Sequence, residues 1–324
     1  MRSRMRKSVD AFLAMWFALC GVSLARGAEP AVAEVEALDE LSAVEPSTFL
    51  RISENDDGEP TALETAIVRY RATDAAREGL IVDLIGAVHV GEADYYAELN
   101  RRFKKYDVLL YELVAPEGTR VPKGGRGGST HPVGMMQDGL KELLGLEHQL
   151  NHVNYQKKNF VHADMSPDEF SQRMSERGES FLGMYFRMMG HGIAQQTKDG
   201  GGATELNLLM ALFSKNRSLA LKRALAVQFE DLDGAMDAFE GEEGSTIISE
   251  RNKKALEVLN QQILEGKKRI GIFYGAGHMI DMEERLVKVY GLVPTKQSWL
   301  TAWNLTDVAP PAAPAKKTKA AANE

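Results

Sequence analysis

Ile81-Val82-Asp83-Leu84-Ile85-Gly86-Ala87-Val88-His89 is the stretch that decides the fold. Its first five residues are almost all apolar and a glycine closes them. A strand half-exposed to water would alternate polar and apolar side chains, so this run predicts a strand buried on both faces. Beyond His89 the apolar positions Tyr95, Tyr96, Leu99 and Phe103 recur at helical spacing, and Val108-Leu109-Leu110-Tyr111 reads as the next strand. Parallel strands need a crossover connection and helices over the sheet, so this β-turn-α-β unit predicts an α/β domain.

The same grammar recurs near the end of the chain. Arg269 to Tyr274 reads as a strand, Gly275 to His278 as a turn, and Met282, Leu286, Val289 and Tyr290 mark a following helix, with a last strand over Leu300 to Trp303. An old duplication would explain the two Gly-x-x-His turns, but the sequences outside them are too dissimilar to establish it. Upstream, alternation predicts short strands at Phe49 to Ile52 and Ala66 to Tyr70. The intervening stretch is mainly helical, with candidates at Gly134 to Asn151, Pro167 to Met189, Glu205 to Ser214, Leu219 to Phe239 and Ser249 to Leu264. The expectation is one domain over residues 45–308: a mixed, largely parallel sheet flanked by helices, two β-turn-α-β units, and a helical insertion at about 133–248 as a cap.

The ends of the chain read differently. Arg2, Arg4, Arg6 and Lys7 precede an apolar run from Ala11 to Ala25 that closes on Arg26-Gly27-Ala28, the pattern of a signal peptide over residues 1–28. A flexible segment at 29–44 would follow, and the Pro/Ala-rich tail at 309–324, with Lys316, Lys317 and Lys319, reads as disordered. Export predicts a periplasmic or secreted protein with no stable membrane span after cleavage. Cys20 lies in the leader, so no thiolate remains as nucleophile, metal ligand or disulfide partner. Removing 1–28 takes five basic and one acidic side chain from 39 and 46, leaving 34 against 45, a formal charge of −11. Such a surface lacks the basic footprint that nucleic acid requires. The Gly-rich stretch Gly118 to Gly134 has no Gly-Lys-Ser/Thr ending, which argues against a phosphate loop.

Chemistry is expected at the carboxyl ends of the strands, where open α/β sheets form their crevice. His89 and His278 fall there, and Glu112 ends the strand after the first turn. Gly86 and Gly275 would let the chain leave each strand sharply and let a ligand approach the backbone. Two imidazoles and a carboxylate with open positions suit Mn²⁺, Fe²⁺, Co²⁺ or Zn²⁺. Arg251, two residues after a plausible N-cap at Ser249, places a cation at the positive end of a helix dipole. That predicts a specific partner, either Glu112, Glu250 or a substrate oxyanion, against the plainer reading of a surface salt bridge. Asn252 either supports the helix start or stands behind the site, and Asp164 follows a short apolar step that brings it to the sheet edge. His148 and His152 share the spacing of a zinc-binding helix, but Gln149 stands where such enzymes need a glutamate. His131, His191 and the cluster of Met184, Met188 and Met189 read as loop and packing residues.

Together, Asp83-Leu84-Ile85-Gly86-Ala87-Val88-His89, Tyr111-Glu112-Leu113, Glu250-Arg251-Asn252 and Gly275-Ala276-Gly277-His278 resemble the TraB/Tiki superfamily in order and approximate spacing. The resemblance covers about Ile81 to Trp303. It implies an EreA/ChaN-like fold and a site built from the two Gly-x-x-His motifs, the glutamate and the arginine. Tiki members are peptidases that use Mn²⁺ or Co²⁺, so the resemblance implies a metal-dependent hydrolase acting on a peptide or protein substrate. Other relatives point elsewhere: to a metal-independent esterase with His89 as general base, or to a non-catalytic binder of peptide, haem or iron.

Overall fold

A strand has two edges, and Pro60–Ala72 (β2) uses both. Along one edge it pairs antiparallel with Leu292–Asn304 (β9) over Ala62 to Ala72. The other edge is shared, the first half by Leu50–Glu54 (β1) and the second by Ile81–Ala87 (β3), both antiparallel to it. From β3 onward the sheet is parallel: β3 pairs with Arg269–Gly275 (β8), β8 with Val108–Tyr111 (β5), and β5 with Phe160–His162 (β7). The result is a mixed, largely parallel seven-stranded sheet flanked by helices. The computed structural model describes residues 47–122, 124, 143–180, 183, 210–211, 213–229 and 244–307.

Alternation along the buried strands feeds two cores. Ile85, Leu109, Tyr111 and Phe273 point to one face, where helix α1 (Ala93–Phe103) lays Tyr95, Tyr96, Leu99 and Phe103 against them. Phe103 and Phe273 meet edge to face at 4.8 Å, a contact worth about 1 kcal/mol beyond its area. Leu84, Leu110, Ile272 and Tyr274 point to the other face, under Arg251–Leu264 and Met279–Lys288. Burial on both sides explains why these strands carry continuous apolar runs rather than alternation.

Between the parallel strands lie a two-residue strand β4 (Val90–Gly91), paired with β6 (Glu147–His148), and the short helix α2 (Gln149–His152). Helix α3 (Pro167–Glu176) starts on a capping box between Ser166 and Glu169 with proline at its first position. The expected helix to Met189 instead stops at Glu176, because Gly178 turns into the left-handed region at φ 62°. Helix α4 covers Arg217–Phe229, and α5 and α6 are Arg251–Leu264 and Met279–Lys288.

Several expectations are corrected. The last strand, β9, pairs antiparallel with β2 and is far longer than the expected Leu300 to Trp303. Strands β3 and β5 are not neighbours, since β8 inserts between them. His148 lies in β6 and His152 ends α2, so the two do not share a helix face. Ser249 is not an N-cap. It sits within a π-helical turn, Thr246–Glu250, which Ser245 caps by accepting from the Ile248 N–H. The leader, the 29–44 segment, the 309–324 tail, His131, His191, the methionine cluster and nearly half of the 133–248 cap lie outside the described residues. Among the described residues no helix is long and apolar enough to cross a membrane.

Candidate active site

Strands β3, β8, β5 and β7 run parallel and adjacent, so their carboxyl ends form one rim. His89 follows β3, Gly275 ends β8, Glu112 follows β5 and Asp164 follows β7. His89 and Glu112 are therefore two strands apart, roughly 10 Å between strand axes. They reach across β8 because the residue there has no side chain. A Cβ built on Gly275 would lie 3.4 Å from Glu112 Oε2, 3.5 Å from His89 Nε2 and 3.8 Å from His278 Cδ2. The glycine is thus the floor over which all three expected residues converge.

That role differs from the one expected of it. Gly275 has φ −54° and ψ 143°, which any residue adopts, so conformational freedom is not what the position requires. Gly86 lies inside β3, opposite Tyr274 and one step short of the Ala87–Gly275 pair. A Cβ there would make ordinary contacts of 3.4 Å or more, so Gly86 provides neither a sharp exit nor a site surface. The two turns also diverge. His89 leads into β4 and is exposed, its carbonyl accepting from the Gln149 N–H at 2.8 Å. After Gly275 the chain enters a 3-10 turn and α6, which buries His278 to 5 % exposure.

Beneath this rim lies a buried ion network. Arg251 opens α5 and is 6 % exposed. Its Nε and Nη2 donate to the two oxygens of Asp164 at 2.9 and 2.6 Å, and Nη2 also donates to Glu112 Oε1 at 2.7 Å. Its predicted partner Glu112 is therefore present. Asp164, which stood second in the sequence reading, is the bidentate one. Glu250 pairs instead with Lys253. Glu112 is further held by the Gly275 N–H, 2.7 Å from Oε2. Burial works to raise its pKa, but the Arg251 guanidinium, the two histidines and that N–H outweigh burial and hold the carboxyl well below the usual range. For Arg251, burial works against the charge, and the attraction of Asp164 and Glu112 overcomes it and raises the pKa.

His278 Nε2 faces Glu112 Oε1 at 3.6 Å and Arg251 Nη1 at 3.4 Å, while Nδ1 lies 2.7 Å from Asn252 Oδ1. Burial, opposed by Glu112, lowers its pKa to about 4, so the ring is neutral at pH 7. Asn252 does more than support the helix start, since it also donates to the His278 carbonyl and to Asp281 Oδ2 at 2.9 and 2.7 Å. Asp281, like Tyr274 whose hydroxyl donates to the Ala163 carbonyl, was not picked out from the sequence. Its one signal is its place three residues beyond His278, on the helix that the histidine begins.

The set can be tested against a divalent ion. A neutral imidazole with its lone pair turned inward, a carboxylate, and an exposed second imidazole are suitable donors. The charge also suits a cation, because one guanidinium answers two buried carboxylates and leaves negative charge in excess. Against this, both Glu112 oxygens already accept hydrogen bonds. Among the described residues no three His, Cys, Asp or Glu side chains are already drawn to one point at ligating distance. The residues therefore fit an ion by chemistry and charge, and closing on one requires side-chain movement. The chain matches no protein-family model, no curated protein and no solved structure.

Proposed function

We propose that the chain is an exported hydrolase, most simply a peptidase, that works at the rim formed by His89, Glu112 and His278 with a divalent metal ion, Mn²⁺ or Co²⁺ by preference. The carrying observation is the meeting of His89, Glu112 and His278 over Gly275, above ion pairs that contain one carboxylate more than cations. The motif order that resembles the TraB/Tiki superfamily supports the same reading. When bound, the ion would supply Lewis acidity toward water and toward a substrate carbonyl. His278 offers an Nε2 lone pair, Glu112 a permanent negative charge, and His89 an exposed ring at the mouth. Arg251 fixes Glu112 through Nη2. Its Nη1 makes only 3.4 Å contacts and is the nitrogen with capacity left for a developing oxyanion. Asp164 holds the other side of that guanidinium.

The test is peptide cleavage by the purified protein with added Mn²⁺ or Co²⁺. Activity should appear with metal, vanish with chelator and fall at least 100-fold in His89→Ala, a surface change that leaves folding intact. A second reading is favoured by one observation: both oxygens of Glu112 are engaged while the His89 ring makes no hydrogen bond to any described residue. Here His89 acts as general base in a metal-free esterase. Full activity in chelator, still lost in His89→Ala, selects it. Tight binding of peptide, haem or iron without turnover would point instead to a binding protein.

A further inference from the structure

We propose that Asn252, held in place by Asp281, is a positioning residue that keeps the single imidazole proton of His278 on Nδ1 and so presents the Nε2 lone pair to the rim. The inference rests on the reading of His278 as a site residue but not on which ligand it meets.

The argument is one of donors and acceptors. An asparagine amide offers two N–H donors at one end and an acceptor oxygen at the other. The Asn252 amide nitrogen lies 2.9 Å from the His278 carbonyl and 2.7 Å from an Asp281 carboxylate oxygen, both of which only accept. Turning the amide over would set oxygen against two acceptors, so its orientation is fixed. Oδ1 is then the atom that faces His278 Nδ1 at 2.7 Å, and it can only accept. Nδ1 must carry the proton. The opposite side of the ring agrees: Arg251 Nη1 lies 3.4 Å from Nε2, and a guanidinium only donates.

Asn252 is needed because a competitor stands on the far side of the ring. Glu112 Oε1 is 3.6 Å from Nε2, beyond hydrogen-bond range but close enough to capture an N–H after a small rotation. If the proton went there, the lone pair would turn away from the rim and His278 could neither ligate nor accept. Asp281 strengthens the Asn252 side and is itself clamped by Arg285, one turn along α6, through two bonds of 2.8 Å. The chain of bonds from Arg285 through Asp281 and Asn252 thus ends on the one ring atom whose protonation decides what Nε2 does. Supporting partners of this kind orient metal-binding histidines, and their loss weakens metal binding by about 10- to 100-fold.

The proton's position is read directly by nitrogen NMR of the full chain labelled at histidine, in chelator and at pH 7.5. The wild-type His278 should show a protonated Nδ1 and an unprotonated Nε2. In Asn252→Leu the proton should move to Nε2, toward Glu112. In the double variant Asn252→Asp/Asp281→Asn, which restores an acceptor opposite Nδ1 and a donor to hold it, the proton should return. Calorimetric titration with Mn²⁺ should weaken about 10- to 100-fold in Asn252→Leu and recover in the double variant. A wild-type ring protonated on Nε2 overturns the proposal outright, even should Asn252→Leu fail to fold. A folded Asn252→Leu with the proton still on Nδ1 overturns it as well. The hydrolase reading fails separately, if the wild-type protein shows the Nδ1 proton yet cleaves nothing.

Discussion

Arg251 is the residue on which most of the buried charge depends. Replacing it with methionine keeps volume but strands Glu112 and Asp164 without their cation, which should cost about 3–5 kcal/mol in urea unfolding. A loss below about 1 kcal/mol would mean that the pairs are not structural. His278 gives a pH signature. Its ring takes a proton near pH 6.5 when unfolded but only near 4 in the folded protein, so below 6.5 the unfolded chain gains a proton that the folded chain refuses. Stability should therefore be intact above pH 6.5 and fall by about 2 kcal/mol on going to pH 5. Glu112, also depressed, adds its loss only below its ordinary value near 4.5. Unfolding in chelator at pH 7 and pH 5 checks this, since His278→Gln should remove most of the difference. At this scale the sequence was informative where spacing carried meaning. The Gly-x-x-His spacing marked His89 and His278, and a cation at a helix start called for a partner for Arg251. The Asp164 pairing was not legible, because it depends on the register by which β7 joins β5.

At the level of the element, β8 is the axis of the site, and its two glycines, Gly271 within it and Gly275 at its end, serve different purposes. A Cβ on Gly271 would meet Leu109 Cδ1 at 2.6 Å, Tyr106 Cδ2 at 3.1 Å and Ile85 Cδ1 at 3.2 Å, all in packed surroundings. Gly271→Ala should lower stability by about 1–3 kcal/mol and leave catalytic constants of the folded fraction unchanged. Gly275→Ala should do the reverse. Its contacts of 3.4 Å and more are tolerable, yet the methyl occupies the space where the rings and carboxylate meet. Melting temperature and activity measured on both variants separate the two effects, and equal behaviour would refute the distinction. The buried strands were legible because their apolar runs have a single explanation. The extent of β9 was not, because Val293 to Ser298 carry Pro294, Thr295, Lys296 and Gln297, residues that read as loop. They form strand because β2 offers a full edge to pair with.

For the molecule as a whole, strands adjacent in space are far apart in sequence: β3 finds β8, and β2 finds β9. No local pattern encodes that order, which is why the class of fold could be read from the sequence and the insertion of β8 between β3 and β5 could not. Ending the chain at Gly291 should abolish cooperative unfolding, since it bares the long edge of β2 and removes Leu300, Ala302 and Trp303 from the core. A truncated protein that still melted cooperatively would mean that the parallel strands fold alone. The far end of β9 also touches the rim, for the buried Trp303 indole N–H donates to the carbonyl of Val90, directly after His89. That placement makes the protein its own optical reporter. A guest settling beside His89 and tugging on the next peptide would alter tryptophan emission, so occupancy could be followed in a cuvette without any added label.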